Sequence, residues 1–86
     1  MYEIVWKLKA RKQLKKIGDQ QDRETIYNTV SELNNWPACR NIKPLSNHKY
    51  GYRLRIGRYR IFFDVQNRDV RVIEIQEVKK RDERTY

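Results

Sequence analysis

Residues 52–63 read YRLRIGRYRIFF and set Arg53, Arg55, Arg58 and Arg60 inside two apolar runs around Gly57. A guanidinium suits phosphate: its planar fork donates paired hydrogen bonds to two oxygens, and it stays charged at any physiological pH. A second cationic cluster, Lys79, Lys80 and Arg81, lies towards the C-terminus, where Tyr86 adds a terminal aromatic. A third occupies residues 9–16, in which Lys9, Arg11, Lys12, Lys15 and Lys16 meet no acidic residue. Cations that grip phosphates beside aromatics that stack on bases make up the chemistry of nucleic-acid recognition.

The elements that must hold these residues follow from the hydrophobic periods. Residues 2–7 alternate, with Tyr2, Ile4 and Trp6 on one face, and predict a first strand. Residues 8–17 place Leu8, Ala10, Leu14 and Ile17 near one helical face, and Gly18 supplies a stop. A second helix, capped by Asp22, carries Ile26, Val30 and Leu33 with Tyr27 alongside, until Asn34, Asn35 and Pro37 break it. Residues 38–49 read as a loop, and strands are expected at residues 50–56, 58–66 and 69–78. The expected fold is therefore α+β, a single domain over residues 1–86: an N-terminal strand, a helical hairpin and a three-stranded antiparallel meander forming one sheet.

On that scaffold Tyr52, Leu54 and Ile56 share one face, so Arg53 and Arg55 project from the other, two strand rises or roughly 7 Å apart. In the next strand Tyr59, Ile61, Phe63 and Val65 take the core face and leave Arg58, Arg60, Phe62 and Asp64 opposite, so the arginines share one side. Like charges on adjacent strands repel, and such an array has a use if an anion compensates it. The alternative is a solvated outer face neutralised by Asp64, Glu74 and Glu77.

Composition narrows the function classes. In 86 residues, charged side chains make up 36% and hydrophobic ones 38%, which favours a shallow surface site over a deep pocket. A net charge of +9 and a pI near 9.9 point to a polyanionic partner. No apolar run of about 18 residues exists, and the opening MYEIVWK has no signal-peptide core, so a cytoplasmic chain without membrane contact is expected. Cys39 is alone and His48 is the single histidine, a combination that offers no convincing metal constellation; no metal and no cofactor are expected.

Taken together, the opening YEIVWK strand, the ARKQLKKI helix, the Trp-Pro after the second helix, the YRLRIGRYRIFF pair, the VRVIEI strand and the KKRDERTY ending resemble the RelE/ParE superfamily of toxins from type II toxin–antitoxin pairs. The resemblance covers nearly the whole chain, and its basic segments look like the RelE branch, whose members cut messenger RNA in the ribosomal A site; members of the ParE branch poison DNA gyrase. It implies a RelE-like fold, a cognate antitoxin, and the ribosome and messenger as partners. Carried over by position, Arg53, Arg55, Arg60, Arg81 and Tyr86 become the candidate catalytic residues. Lys9, Arg11, Lys12, Lys15, Lys16, Arg58, Lys79 and Lys80 become candidate RNA contacts.

A metal-independent cut of this kind uses the ribose 2′-hydroxyl as nucleophile. The protein must align it, stabilise the phosphorane charge, and supply a base and an acid. Arg60 and Arg53 are expected to hold phosphate oxygens, Arg81 to serve the leaving oxygen, and Tyr86 to stack on a base. Where the branch carries lysine in the second strand this chain has Arg53 and Arg55, and arginine accepts protons poorly. Arg55, Lys79, Lys80 and His48 remain open as the base, as does the ribosome's own RNA. The rival readings are a gyrase-poisoning toxin and a non-catalytic RNA-binding module.

Overall fold

The computed structural model describes residues 1–81; Tyr86 lies outside the described residues. The chain forms β1 (Glu3–Trp6), α1 (Leu8–Lys15), α2 (Gln20–Ser31) with a 3-10 turn at Glu32–Asn35, β2 (Ile42–Pro44), β3 (Tyr52–Ile56), β4 (Tyr59–Asn67) and β5 (Arg71–Lys80). One sheet runs in the order β1-β5-β4-β3-β2, with β1 parallel to β5 and every other pairing antiparallel. The expected α+β class and the β3–β4–β5 meander are present. No helix among the described residues is long and apolar enough to cross a membrane.

Strand alternation decides which face is covered. Leu54 from β3, Ile61 and Phe63 from β4, and Ile73 and Ile75 from β5 are almost fully buried, and they meet Ala10, Ile26, Val30 and Leu33 from the helical side. Tyr2, Ile4 and Trp6 pack against the same cluster, as their spacing predicts. Trp36 closes one end, edge-on to Tyr52 at 4.7 Å and to Phe63 at 5.6 Å between ring centroids. The helices thus cover one face of the sheet, and the arginine-bearing face carries none of this core.

Several local expectations are corrected. The sheet has five strands, because Ile42–Pro44 pairs with β3 inside the stretch expected as loop. A three-residue strand shows no readable period, and its Pro44 is tolerated at a sheet edge. The cap of α2 is Asp19, whose side chain accepts from the backbone N–H of Gln21 at 2.8 Å and Asp22 at 3.2 Å; Asp22 sits three residues later, where it accepts the Tyr59 hydroxyl at 3.1 Å. Leu8 is 60% exposed, since residues two apart on a helix cannot face the same way and Ala10 holds the buried position. Gly18 is not the left-handed stop; the glycine with positive φ is Gly57, at +55° in the β3–β4 turn.

Past Trp6, α1 takes over from β1 along the edge of β5. The Gln13 side-chain carbonyl accepts the Val78 N–H at 2.7 Å, so a helix side chain satisfies a ladder position that no strand reaches.

Candidate nucleic-acid interface

The open face of the sheet is organised in rows. Arg55 of β3 lies opposite Arg60 of β4, which lies opposite Lys79 of β5. The next row, two residues along or roughly 7 Å away, runs Lys43, Arg53, Phe62 and Glu77 across β2, β3, β4 and β5. Arg55 and Lys79 are exposed, while Arg53 and Arg60 are half-buried. The Arg60 Nη1 donates to the carbonyls of Gly57 at 3.1 Å and Tyr59 at 3.0 Å, which ties its guanidinium to the hairpin turn. The Arg53 Nε is buried and has no hydrogen-bond partner among the described residues.

A β-bulge between β4 and β5 builds the first row. Phe62 pairs with Glu77 but Phe63 pairs with Ile75, leaving Gln76 as an extra residue. Simple alternation from Ile73 and Ile75 would send Glu77 and Lys79 into the core. The inserted residue reverses the parity, so Val78 enters the core while Glu77 and Lys79 reach the open face.

Among the described residues, three carboxylates lie on or beside this face, each with its own partners. Asp64 accepts from the Gly51 N–H at 2.7 Å and from the Gln76 amide at 3.2 Å. Glu74 is engaged by Lys7 at 3.7 Å and by the Gln66 amide at 3.1 Å. Glu77 is buried and paired with Lys9 at 3.4 Å and Lys79 at 3.7 Å. Burial pushes its carboxyl up, but Lys79, Lys9 and a hydrogen bond with Tyr50 outweigh that and hold it below the usual glutamate range. Glu77 is thus an anionic support beneath a row of cations.

Of the candidate residues, the structure brings Arg53, Arg55, Arg60 and Lys79 together. Arg81, exposed, extends the β4–β5 ladder by donating its N–H to the Arg58 carbonyl at 2.6 Å. Arg58 departs from the expected grouping: it is a turn residue and, with Lys16, Lys80, Asp19, Asp22 and Tyr59, lines a cavity of about 530 Å³ beside the helical hairpin. Lys80 sits opposite the buried Tyr59, which puts it on the helical face. Burial, the bond to Asp22 and the Asp22 and Asp19 charges, opposed by Arg58, push the Tyr59 hydroxyl above its ordinary range. Arg11, Lys12 and Lys15 are exposed on α1, whereas Lys9 is engaged by Glu77.

Beside the second row, Phe62 and His48 form a stacked aromatic pair that the sequence did not announce. The His48 ring is stacked on Phe62, 5.2 Å between centroids and 12° between planes, and its Nδ1 accepts the Tyr50 N–H at 3.0 Å. A nitrogen that accepts leaves Nε2 to carry the ring proton, so His48 is poorly set to take a proton from substrate. Phe62 itself was a visible signal, an aromatic at a polar-face position between Arg60 and Asp64. Glu77, expected among the carboxylates of the outer face, reaches that face because of the bulge.

Cys39 is half-buried, its Sγ 3.7 Å from the Glu32 carbonyl, and burial followed by the Glu32 charge pushes its thiol up. That disfavours the reactive thiolate. Among the described residues no group of three or more His, Cys, Asp or Glu side chains is placed to hold a metal ion.

A single basic sheet face opposite a helical hairpin defines a class that comparison with known proteins identifies. The sequence profile described as the ParE toxin of type II toxin–antitoxin system, parDE, matches residues 4–84, and the chain belongs to this family of toxins within the RelE/ParE superfamily. A search of curated proteins by sequence gave no match. Three solved structures share the fold. The toxin–antitoxin complex RelBE2 from Mycobacterium tuberculosis is 22% identical with a TM-score of 0.77, over 93% of this chain and 98% of that one. The YoeB/ParE toxin from Agrobacterium tumefaciens is 16% identical with a TM-score of 0.73, over 93% and 99%. The intact RelBE toxin–antitoxin complex of E. coli is 19% identical with a TM-score of 0.58, over 95% and 99%.

Proposed function

We propose that this toxin cuts messenger RNA in the ribosomal A site by driving the ribose 2′-hydroxyl onto the adjacent phosphorus. The row Arg55, Arg60 and Lys79 carries the proposal: three cations face one another across adjacent strands of an open sheet, a charge pattern matched to the oxygens of a phosphate. In the reaction the 2′-oxygen bonds to phosphorus and the bond to the 5′-oxygen breaks, leaving a 2′,3′-cyclic phosphate and a 5′-hydroxyl. The guanidiniums of Arg55 and Arg60 stabilise the charge that grows on the non-bridging oxygens. Arg53 adds a buried Nε–H in want of an acceptor, and Arg81 serves the leaving oxygen. Tyr86 stacks on a base.

Among the protein's candidate bases, Lys79 lies in the row beside Glu77, while Lys80 lies on the other face. The ribosome contributes the alignment that a shallow face cannot impose alone, and Arg11, Lys12 and Lys15 are exposed for contact with ribosomal RNA phosphates. An antitoxin with an acidic binding segment silences the protein by covering the basic face; two of the structurally similar toxins were solved with their antitoxins.

The family match also favours a second reading, a ParE-type toxin acting on gyrase. Purified translation with mapping of messenger 5′ ends separates the two. Ends confined to the A-site codon support the endonuclease, and an intact messenger beside accumulating gyrase-linked DNA breaks supports the gyrase poison.

A further inference from the structure

We propose that His48, laid flat on Phe62 beside the cation row, is a stacking platform for a nucleobase of the bound RNA; the proposal rests on the RNA reading above. The pair lies on the face of the sheet opposite the hydrophobic core, so it does not serve that core. Phe62 is half-buried and His48 is exposed, which leaves the outer side of the imidazole open.

The ring is held before any ligand arrives. Its Nδ1 is fixed by the Tyr50 N–H. Tyr50 is buried and lies 5.8 Å from Phe62 between centroids, so the backbone that holds the imidazole is itself packed. The loop is closed by the Leu45 N–H on the Gly51 carbonyl at 2.9 Å and by the Gly51 N–H on Asp64 at 2.7 Å. A loop histidine with this much support presents a flat surface at low ordering cost.

Its position fits a nucleotide. Phe62 follows Arg60 by two residues on one face, roughly 7 Å along the strand, and lies opposite both Arg53 and Glu77. A phosphate on the first row therefore brings a neighbouring base over the second. Every base has a π-face, so stacking there is sequence-tolerant. The Nε2–H at the ring edge favours bases that offer an acceptor.

Because His48 is the only histidine in the chain, its imidazole C–H signals stand alone in an NMR spectrum. The probes are a 2′-O-methyl trinucleotide, which cannot be cut, and an abasic strand of equal charge. The base-bearing strand is expected to move the His48 signals upfield in a saturable way, and the abasic strand is not. Unmoved His48 signals up to millimolar RNA, whether or not the Arg55 and Arg60 amides respond, overturn the proposal, as does an equal response to both strands.

On programmed ribosomes, His48→Ala should slow single-turnover cleavage about tenfold, and the deficit should vanish on messages lacking one base of the A-site codon. A deficit that persists on each abasic message means that His48 only shapes the loop, which also overturns it. Upfield shifts without any cleavage would leave the platform standing and remove the nuclease. Cleavage without shifts would do the reverse.

Discussion

Replacing Arg60 by alanine separates catalysis from folding. The side chain lies at the centre of the row, opposite both Arg55 and Lys79, where a scissile phosphate would meet most positive charge. Loss of one pre-organised donor to a developing oxyanion lowers rates by about 10²–10³, so Arg60→Ala should fall by that factor in single-turnover cleavage on programmed ribosomes. Its structural bonds include those to the Gly57 and Tyr59 carbonyls at 3.1 and 3.0 Å. Half-exposed hydrogen bonds contribute about 0.5–1.5 kcal/mol each, and removing one of three facing cations relieves repulsion. A net loss of about 1 kcal/mol follows, read by urea denaturation. Arg60→Lys keeps the charge without the fork, so its rate should fall between the two. A folded Arg60→Ala that cleaves at the wild-type rate would refute the reasoning; so would a rate loss matched by global unfolding.

The Glu77 carboxyl titrates below its ordinary value of 4.5 in the folded protein, so its stabilising effect is present above that value and is lost as pH falls through the folded one. Glu77→Gln should therefore cost about 1–2 kcal/mol at neutral pH, a gap that closes in acid; denaturation curves showing a gap that widens on acidification would contradict this. Naked messenger should stay uncut at toxin concentrations that cut it fully on ribosomes, and comparable cutting of both would remove the ribosome from the mechanism. For Tyr86, stacking predicts that Tyr86→Phe keeps most single-turnover activity while Tyr86→Ala loses about tenfold or more. Equal loss in both variants would assign the hydroxyl a chemical role, and no loss in Ala would remove the residue from the site.

Much of the scaffold was legible because it obeys short periods. Leu54, Ile61 and Phe63 on one face fixed Arg53, Arg55 and Arg60 on the other, and Ile26, Val30 and Leu33 announced α2. What stayed hidden depended on events that a period cannot carry. Ile42–Pro44 is too short to show alternation, and it becomes a strand by pairing with β3. Asp19 and Asp22 are equally good caps by type; Asp19 takes the role while Asp22 meets Tyr59, 37 residues away in the chain. The bulge at Phe62 and Phe63 was decisive for the site, since it turns Glu77 and Lys79 to the open face and puts Lys80 on the helical side. Grouping Arg58 with Arg60 failed for a related reason: the turn intervenes before the strand begins at Tyr59.

The central claim is that the cation row promotes attack by a messenger 2′-hydroxyl in the A site. Its most direct test is single-turnover incubation of the toxin with ribosomes carrying either an ordinary message or one with 2′-deoxy substitutions through the A-site codon. The account predicts that the ordinary message is cut once, within that codon, to leave a 5′-hydroxyl fragment, and that the deoxy message survives. Cleavage of both messages would contradict the hydroxyl's role, and survival of both would contradict the nuclease itself.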